Sequence, residues 1–263
     1  PFSAGANLES ALPMVMKSGP TGVEPFVKLF QDTMMRVKYS QVPVISAISG
    51  IALGGGCELV LQSARRVAAI ESYIGLVEIG VGLLPAGGGL KEAAIRAAQG
   101  VRLAGNVNYL DFTKAAFENA AMAKVSSSAQ EAMKMVYLQK GDIIVPNVYE
   151  LLAIAQNQVQ TMHYAGYHPP IPTLIPVGGR PVAATVMGQV VNMRDGGFIS
   201  EHDAYIAQRI IEIITGGDVD AGTLVTEDWL LKLERKSFVE LIGHPKTMER
   251  IMGILQNGKP VRN

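Results

Sequence analysis

The sequence predicts an α/β fold, and three observations carry that prediction. A buried-strand pattern over 44–49 is followed by the glycine cluster 54–56 and by a helical pattern that opens directly from those glycines. A second short strand pattern then covers 65–70. The glycine cluster 87–89 precedes a further helical pattern. Strands and helices that alternate through short turns are typical of α/β proteins.

The elements of the first half follow from apolar spacing and from helix-breaking residues. Residues 23–40 are predicted to form a helix, because apolar side chains recur there at spacings of three and four. Pro43 ends this helix, since proline has no backbone N–H to donate. Apolar and small residues alternate over 44–49, as in a buried strand, and 73–76 is predicted to be another short extended piece. A helix is predicted from about Leu90 to about Ala98.

The second half of the chain is predicted to be mainly helical. A connector rich in proline and glycine, 168–181, interrupts the helical patterns. We place a domain boundary near residue 145, which divides the chain into 1–145 and a helical C-terminal extension, 146–263. The predicted helices after about residue 111 are 111–123, 128–136, 147–165, 183–193, 201–215, 227–242 and 245–256.

Composition and charge narrow the possible functions. Lys and Arg together number 23, as do Asp and Glu, so no excess positive charge exists to hold nucleic-acid phosphates. Hydrophobic residues make up 48% of the 263, which allows a filled core together with apolar binding surfaces. No apolar run reaches the length of about 18 residues that a membrane span needs. The single Cys57 excludes an internal disulfide framework and favours a reducing cytoplasm.

Small residues and two carboxylates form the chemically suggestive pattern. The loop 2–7 is built of small residues whose backbone can approach a ligand, and the cluster 54–56 presents N–H groups at a helix start. Such groups can stabilise a developing oxyanion. Glu58 follows in the first helical turn and Glu78 lies further along the chain, which suits acid/base chemistry beside an activated carbonyl. Each signal alone has another interpretation: close packing for the glycines, a helix-dipole partner for Glu58 and a surface loop residue for Glu78.

These features lie within longer motifs. The chain reads PVISAISGIALGGGCEL over 43–59 and GLVEIGVGLLPAGGG over 75–89, after the opening FSAGANL over 2–8. In this order the motifs resemble the crotonase (enoyl-CoA hydratase/isomerase) superfamily over about the first 145 residues. The resemblance implies a crotonase-like (ClpP/crotonase) α/β fold. The chain starts with Pro1 inside a small-residue stretch, so we expect a fragment that is N-terminally incomplete, lacking the first strands of that fold.

The resemblance also implies roles for individual residues. The backbone N–H groups of Ala6 and Gly55 would hold the thioester carbonyl. In hydratases of the superfamily two glutamates bracket one water; by that match Glu58 helps to activate the water that attacks C3, and Glu78 supplies the proton to C2. The remaining substrate-binding positions implied by the match are Ala4, Gly54 and Gly87. No metal site is expected.

The C-terminal half extends the resemblance. The stretches FISEHD (198–203), LLKLER (230–235) and NGKPVRN (257–263) are similar to bacterial 3-hydroxyacyl-CoA dehydrogenases that end in a crotonase portion and serve fatty-acid β-oxidation. No G-x-G-x-x-G fingerprint is present, so NAD would bind upstream, and this chain itself is expected to need no cofactor. Acyl-CoA is the implied substrate. A homo-oligomer, or packing on the absent upstream region, is expected to cover exposed sheet edges.

Three functions remain open from the sequence. The first is hydration of a 2-enoyl-CoA, favoured because both glutamates are present. The second is another crotonase reaction, either double-bond isomerisation or thioester hydrolysis. The third is a non-catalytic assembly module for the upstream dehydrogenase. The sequence also leaves undecided which basic residues line a CoA entrance. Each of four candidates is either a phosphate contact or a solvated surface charge: Lys38, Arg65, Arg66 and Lys91.

Overall fold

The computed structural model describes residues 1–105, 108–259 and 261–263; for residues 10–12, 14 and 18 only the backbone is described. Pro260, in the C-terminal stretch that carries part of the resemblance, lies outside the described residues. The chain divides into two compact units, each assembled from three segments. Unit 1 contains Pro1–Ala6, Leu29–Leu76 and Val125–Pro172, and unit 2 contains Asn7–Lys28, Val77–Lys124 and Thr173–Asn263. The division at residue 145 into two regions stays a prediction.

Unit 1 is built on a parallel sheet of three strands in the order β1, β2, β3. The strands are β1 (Ile45–Leu53), β2 (Arg65–Gly75) and β3 (Ile143–Val145), and α2 (Gly55–Gln62) connects the first two. The register of β1 on β2 shifts between Ile48 and Gly50, and Gly50 adopts a φ of 66° there. The two extended pieces expected at 65–70 and 73–76 are therefore one continuous strand.

Two further helices of unit 1 follow β2 in the sequence. They are α5 (Ala129–Lys134) and α6 (Leu151–Tyr164), and α6 follows a short 3-10 turn at Val148–Glu150. Val67 of β2 and Val145 of β3 form a buried apolar cluster with Leu151 and Ala155 of α6. The helix therefore packs its apolar stripe on the sheet, as its spacing predicts.

Unit 2 is mainly helical. It contains the 3-10 turn Glu78–Val81, α3 (Gly89–Ala104), α4 (Leu110–Ala121), α7 (Gly179–Asp195), α8 (Glu201–Ile214), α9 (Glu227–Ile242) and α10 (Pro245–Asn257). A two-stranded antiparallel ribbon pairs β4 (Ile175–Pro176) with β5 (Leu224–Val225). The buried residues of α8 include five isoleucines, so this helix forms much of the core of the unit: Ile206, Ile210, Ile211, Ile213 and Ile214.

The predicted helices are confirmed, with two informative shifts at their starts. The first helix, α1, runs over Leu8–Lys38 rather than from residue 23, and a non-helical Gly19 interrupts it. Helix α7 begins at Gly179, inside the predicted connector. Pro181 is tolerated there because it falls in the first turn, where a backbone N–H would have no acceptor inside the helix. Among the described helices, none combines the length and the hydropathy that crossing a membrane would require.

Candidate active site

The loop that carries Ala4 and Ala6 is fastened to the end of β1 in unit 1. The N–H of Ser3 donates to Ile51 O at 2.9 Å, and the N–H of Leu53 donates to Ser3 O at 2.9 Å, as in a parallel ladder. Gly5 then turns the chain with a φ of 95°, and its N–H donates to Ser3 Oγ at 3.2 Å. Backbone pairing therefore places the small-residue loop where β1 meets the following glycines.

The glycines 54–56 form a tight turn against this loop. Gly54 has φ 54° and ψ −127°, a conformation open to glycine, and its N–H donates to Gly75 O at 3.0 Å. A Cβ on Gly56 would lie 2.4 Å from Ser3 Cβ, and a Cβ on Gly5 would lie 3.9 Å from Gly55 N. The structure thus brings together the loop of Ala4 and Ala6 and the turn of Gly54 and Gly55, which the sequence separates by about 50 residues.

The turn leaves hydrogen-bond donors at the start of α2. The first bond within the helix runs from Glu58 N–H to Gly54 O at 2.9 Å, so the N–H groups of Gly55 and Gly56 have no acceptor inside the helix. Gly54, at the N-cap, has no side chain to accept from them. These donors, together with the positive end of the helix dipole, suit a developing negative charge.

Glu58 lies two residues past Gly56, the last glycine of that turn. It belongs to the first turn of α2 and is 3% exposed. A carboxylate at this position benefits from the helix dipole, and burial keeps its charge away from bulk water. Unit 1 therefore contains four of the expected oxyanion-loop and substrate positions, Ala4, Ala6, Gly54 and Gly55, together with the first of the two expected catalytic glutamates.

Glu78 begins the 3-10 turn Glu78–Val81 in unit 2. Its backbone carbonyl accepts from Leu83 N–H at 3.0 Å, and its side-chain Oε2 is buried. The turn ends at Gly82, whose φ of 80° lies in the left-handed region. The surface-loop interpretation of Glu78 therefore does not hold, since the residue starts a defined turn and presents a partly buried carboxylate.

Gly87 precedes a helix start whose amides are already engaged. Glu234, which is 0% exposed, accepts from Gly88 N–H at 2.8 Å and from Lys91 N–H at 2.7 Å. A carboxylate from α9 thus takes the position that an anion would occupy at the N-terminus of α3. The substrate-binding roles of Gly87 and of the other site residues stay predictions.

Two of the four basic candidates for CoA phosphates lie inside the protein. Lys91 is fully buried and pairs with Glu92 and Glu227, each at 2.8 Å. Burial alone would lower the pKa of Lys91, but the two carboxylates outweigh it, so the pKa is raised and the ammonium stays charged. Arg66 is also buried and pairs with Asp142 at 2.7 Å. Neither the phosphate role nor the surface interpretation of these two residues is correct.

The other two candidates contact polar or aromatic side chains of unit 1. Arg65 donates to Gln158 Oε1 at 3.0 Å, and the Lys38 ammonium lies 5.8 Å from the centroid of the Tyr39 ring. Within the described ranges, no three His, Cys, Asp or Glu side chains are grouped so that they could hold a metal ion.

The residues that sequence reasoning missed are Glu234, Thr247 and Arg250, which contact the Gly87 and Glu78 segments. No local pattern marks them, because their partners lie far away in the sequence.

Comparison with known proteins identifies the family. The model of the enoyl-CoA hydratase/isomerase family matches residues 1–135. The chain belongs to the enoyl-CoA hydratase/isomerase family. Several solved structures share its fold: an enoyl-CoA hydratase from Rhodobacter sphaeroides matches with a TM-score of 0.62 at 14% identity, covering 99% of this chain and 74% of that one. The enoyl-CoA hydratase from Bacillus halodurans matches with a TM-score of 0.57 at 16% identity, over 96% and 76%. The crotonase-like α/β fold is thereby confirmed.

Curated relatives are considerably longer proteins. A probable 3-hydroxyacyl-CoA dehydrogenase of Bacillus subtilis is 41% identical over 262 residues, which are 100% of this chain and 33% of the relative. A putative fatty acid oxidation complex trifunctional enzyme of Rickettsia felis is 31% identical over 257 residues, 97% of this chain and 32% of the relative. The chain therefore spans about a third of the length of these relatives.

Proposed function

We propose that this chain is an enoyl-CoA hydratase module that adds water to 2-enoyl-CoA thioesters. The observation that carries the proposal is the glycine turn of unit 1. There the loop of Ala6 packs against Gly55, the Gly55 N–H has no acceptor inside its helix, and a buried Glu58 follows. Retention of Glu78 as a second carboxylate favours hydration over reactions that need one acid/base group.

In the proposed reaction the thioester oxygen accepts from the N–H groups of Ala6 and Gly55. Charge grows on that oxygen as the thioester gains enolate character, so each donor stabilises the transition state more than the substrate, typically by about 3 kcal/mol. Glu58, as the carboxylate, takes a proton from the water whose oxygen bonds to C3, and Glu78, as the carboxylic acid, gives its proton to C2. The proton gained by Glu58 then passes to Glu78 through solvent, which restores both groups. The net change is addition of one water across the double bond. Ala4, Gly54 and Gly87 are the proposed backbone contacts to the substrate.

The names of the relatives support a wider context. We place this module in a longer protein that also contains a 3-hydroxyacyl-CoA dehydrogenase, so the hydrated product would be the substrate of the next oxidation. NAD would then be bound by a part of the protein outside this chain, and the module itself would need no cofactor. A cytoplasmic site of fatty-acid β-oxidation, and self-association or packing on the rest of the protein, are part of the same proposal.

Hydration of crotonyl-CoA, followed as the loss of enoyl-thioester absorbance, tests the proposal. It should be measured on this chain and on a version extended upstream. Changing Glu58→Gln or Glu78→Gln keeps size and removes the ionisable group, so kcat/KM should fall at least about a hundredfold in each. Glu71→Gln, on an exposed residue of β2, is the matched control and should leave the rate unchanged.

Other outcomes would replace the proposal. Full hydration activity in both glutamine variants would contradict the assigned roles. Conversion of a 3-enoyl-CoA or release of free CoA from an acyl-CoA, in place of hydration, would assign isomerisation or thioester hydrolysis. If neither the short nor the extended chain acts on any thioester, the module would serve assembly of the longer protein.

A further inference from the structure

The turn that carries Glu78 is held from outside by helix α10 of the same unit. Arg250 Nη1 donates to Ile79 O at 3.0 Å, and Thr247 Oγ1 donates to Gly82 O at 2.7 Å. Thr247 and Arg250 are three residues apart in α10 and therefore lie on one face of it. Two carbonyls of the segment that follows Glu78 are thus anchored by side chains more than 160 residues away in sequence (165 and 171 positions).

Both anchoring side chains are closed off from solvent. Thr247 is 0% exposed and Arg250 is 2% exposed. The backbones of Gly82 and Thr247 also approach closely, because a Cβ on Gly82 would lie 2.8 Å from Thr247 Cα. In addition, Gly82 has a φ of 80°, which favours glycine. A 3-10 turn of four residues has few hydrogen bonds of its own, so external donors decide how rigidly its first residue is held.

Each anchor is in turn fixed by a neighbour. The Thr247 hydroxyl gives its one hydrogen to Gly82 O, so His202 Nε2, which is 2.9 Å from Thr247 Oγ1, must donate to it. His202 is then neutral with its lone pair on Nδ1, which has no hydrogen-bond partner among the described residues. Burial, aided by the charge of Arg250, lowers the pKa of His202 to about 4 and keeps it in this form.

Arg250 is held by three further groups. Its Nη1 lies 2.7 Å from Asp203 Oδ1, its Nε donates to Asn263 Oδ1 at 2.9 Å, and its Nη2 donates to Ser200 Oγ at 3.1 Å. Nearly all of its donor capacity is therefore used, and the guanidinium has a defined orientation toward Ile79 O.

We propose that Thr247 and Arg250 are positioning residues for Glu78, acting through the backbone of the turn Glu78–Val81. The inference rests on the proposed hydratase function, since it concerns the carboxylate that protonates C2. Rotation of the turn would move that carboxylate relative to the substrate carbon, which affects proton transfer more than it affects substrate binding. The distinctive expectation is a loss in kcat with little change in KM.

The test compares Thr247→Val with Thr247→Ser. Valine keeps the shape but removes the donor to Gly82 O and the acceptor for His202, whereas serine keeps both. In crotonyl-CoA hydration, kcat should fall about tenfold in Thr247→Val with KM within about twofold, and Thr247→Ser should recover most of the wild-type rate. Amide hydrogen exchange of residues 78–83 should accelerate in the valine variant alone. Thr185→Val, which removes an exposed hydroxyl bonded to Pro181 O in its own helix, is the control.

Every outcome separates this inference from the proposed function. A wild-type kcat in Thr247→Val, or equal losses in kcat and in the folded fraction, would overturn the positioning role while leaving hydration intact. Inactivity of the wild type, both as this chain and as the version extended upstream, would contradict the proposed function, and hydrogen exchange would then be the only test of the anchoring. Faster exchange of residues 78–83 in Thr247→Val would still support the anchoring, and unchanged exchange would overturn it.

Discussion

The glycine cluster before α2 and the glycine cluster before α3 begin two helices in the same way but meet different surroundings. In each, the first helical bond runs from a glutamate N–H to a glycine carbonyl at 2.9 Å, from Glu58 to Gly54 and from Glu92 to Gly88. At α2 the small-residue loop of unit 1 packs against the turn. At α3 the buried carboxylate of Glu234 accepts from the amides.

This difference shows what a glycine cluster does and does not specify. Glycines at a helix start indicate that another group approaches the backbone closely, because a Cβ would obstruct it. The approaching group decides the function: a ligand can use the donors at α2, whereas a protein carboxylate already uses those at α3. At the Glu78 turn of unit 2 the direction is reversed, because side chains of α10 donate to the backbone carbonyls of Ile79 and Gly82.

The largest expected effect tests the occupied helix start. Changing Glu234→Ala removes the acceptor of the Gly88 and Lys91 amides and leaves them buried without a partner. The free energy of unfolding should therefore fall by about 3 kcal/mol, measured by urea denaturation. Glu234→Gln retains an acceptor oxygen and should lose less. Glu71→Ala, at an exposed position, should change the free energy by under about 0.5 kcal/mol.

A loss below about 1 kcal/mol in Glu234→Ala would break the comparison. It would mean that water or another group accepts from the α3 amides as readily as the carboxylate does. The amides at both helix starts would then be able to bind a group from outside the protein.

Local patterns were sufficient to predict most of the elements and the glycine turn at the start of α2. The strand over 44–49, the glycine turn and the helix after it depend on neighbouring residues, and β1 and α2 form where that spacing predicts. Helix starts at prolines were less predictable: Pro13, Pro20 and Pro25 lie within the span of α1, which the structure extends to Leu8. A proline pattern alone does not show whether the residue ends a helix or lies in a turn that tolerates it.

Burial of charge could not be predicted from local patterns. Arg66 pairs with Asp142, which is 76 positions away, and Lys91 pairs with Glu227, which is 136 positions away. Glu234 lies 146 positions from Gly88. Whether a charged residue is solvated or paired depends on tertiary contacts of this kind, and a single sequence contains no periodic signal for them.

A smaller effect is expected at the open helix start. In Gly56→Ala the new Cβ would lie 2.4 Å from Ser3 Cβ, so the loop of Ala4 and Ala6 must shift. The free energy of unfolding should fall by about 2 kcal/mol. Because the shift also displaces the Ala6 N–H, kcat/KM for crotonyl-CoA should fall about tenfold or more.

The control is Gly188→Ala in α7, where the added Cβ meets nothing within 4 Å. It should not destabilise the protein, since alanine has the higher helix propensity. Wild-type stability and activity in Gly56→Ala would show that loop and turn are not packed as tightly as the structure indicates, and the contrast with α3 would weaken.

The smallest expected effect concerns the network of α8 and α10 that supports the Glu78 turn, and it depends on pH. Burial, with the charge of Arg250, lowers the pKa of His202 from 6.5 to about 4, so the unfolded chain takes up a proton there before the folded protein does. Stability is therefore lost as the pH falls from 6.5 towards 4.

The measurement is the free energy of unfolding of the wild type and of His202→Gln, whose amide can still donate to Thr247. Between about pH 7.5 and about pH 5.5, the wild type should lose about 1 kcal/mol more than the variant. Asp203 and Glu240, whose carboxyl pKa values are lowered, remain in both proteins, so the difference isolates His202. Parallel stability curves for the two proteins would show that His202 takes up its proton at the same pH in the folded and in the unfolded chain, which would contradict a lowered pKa.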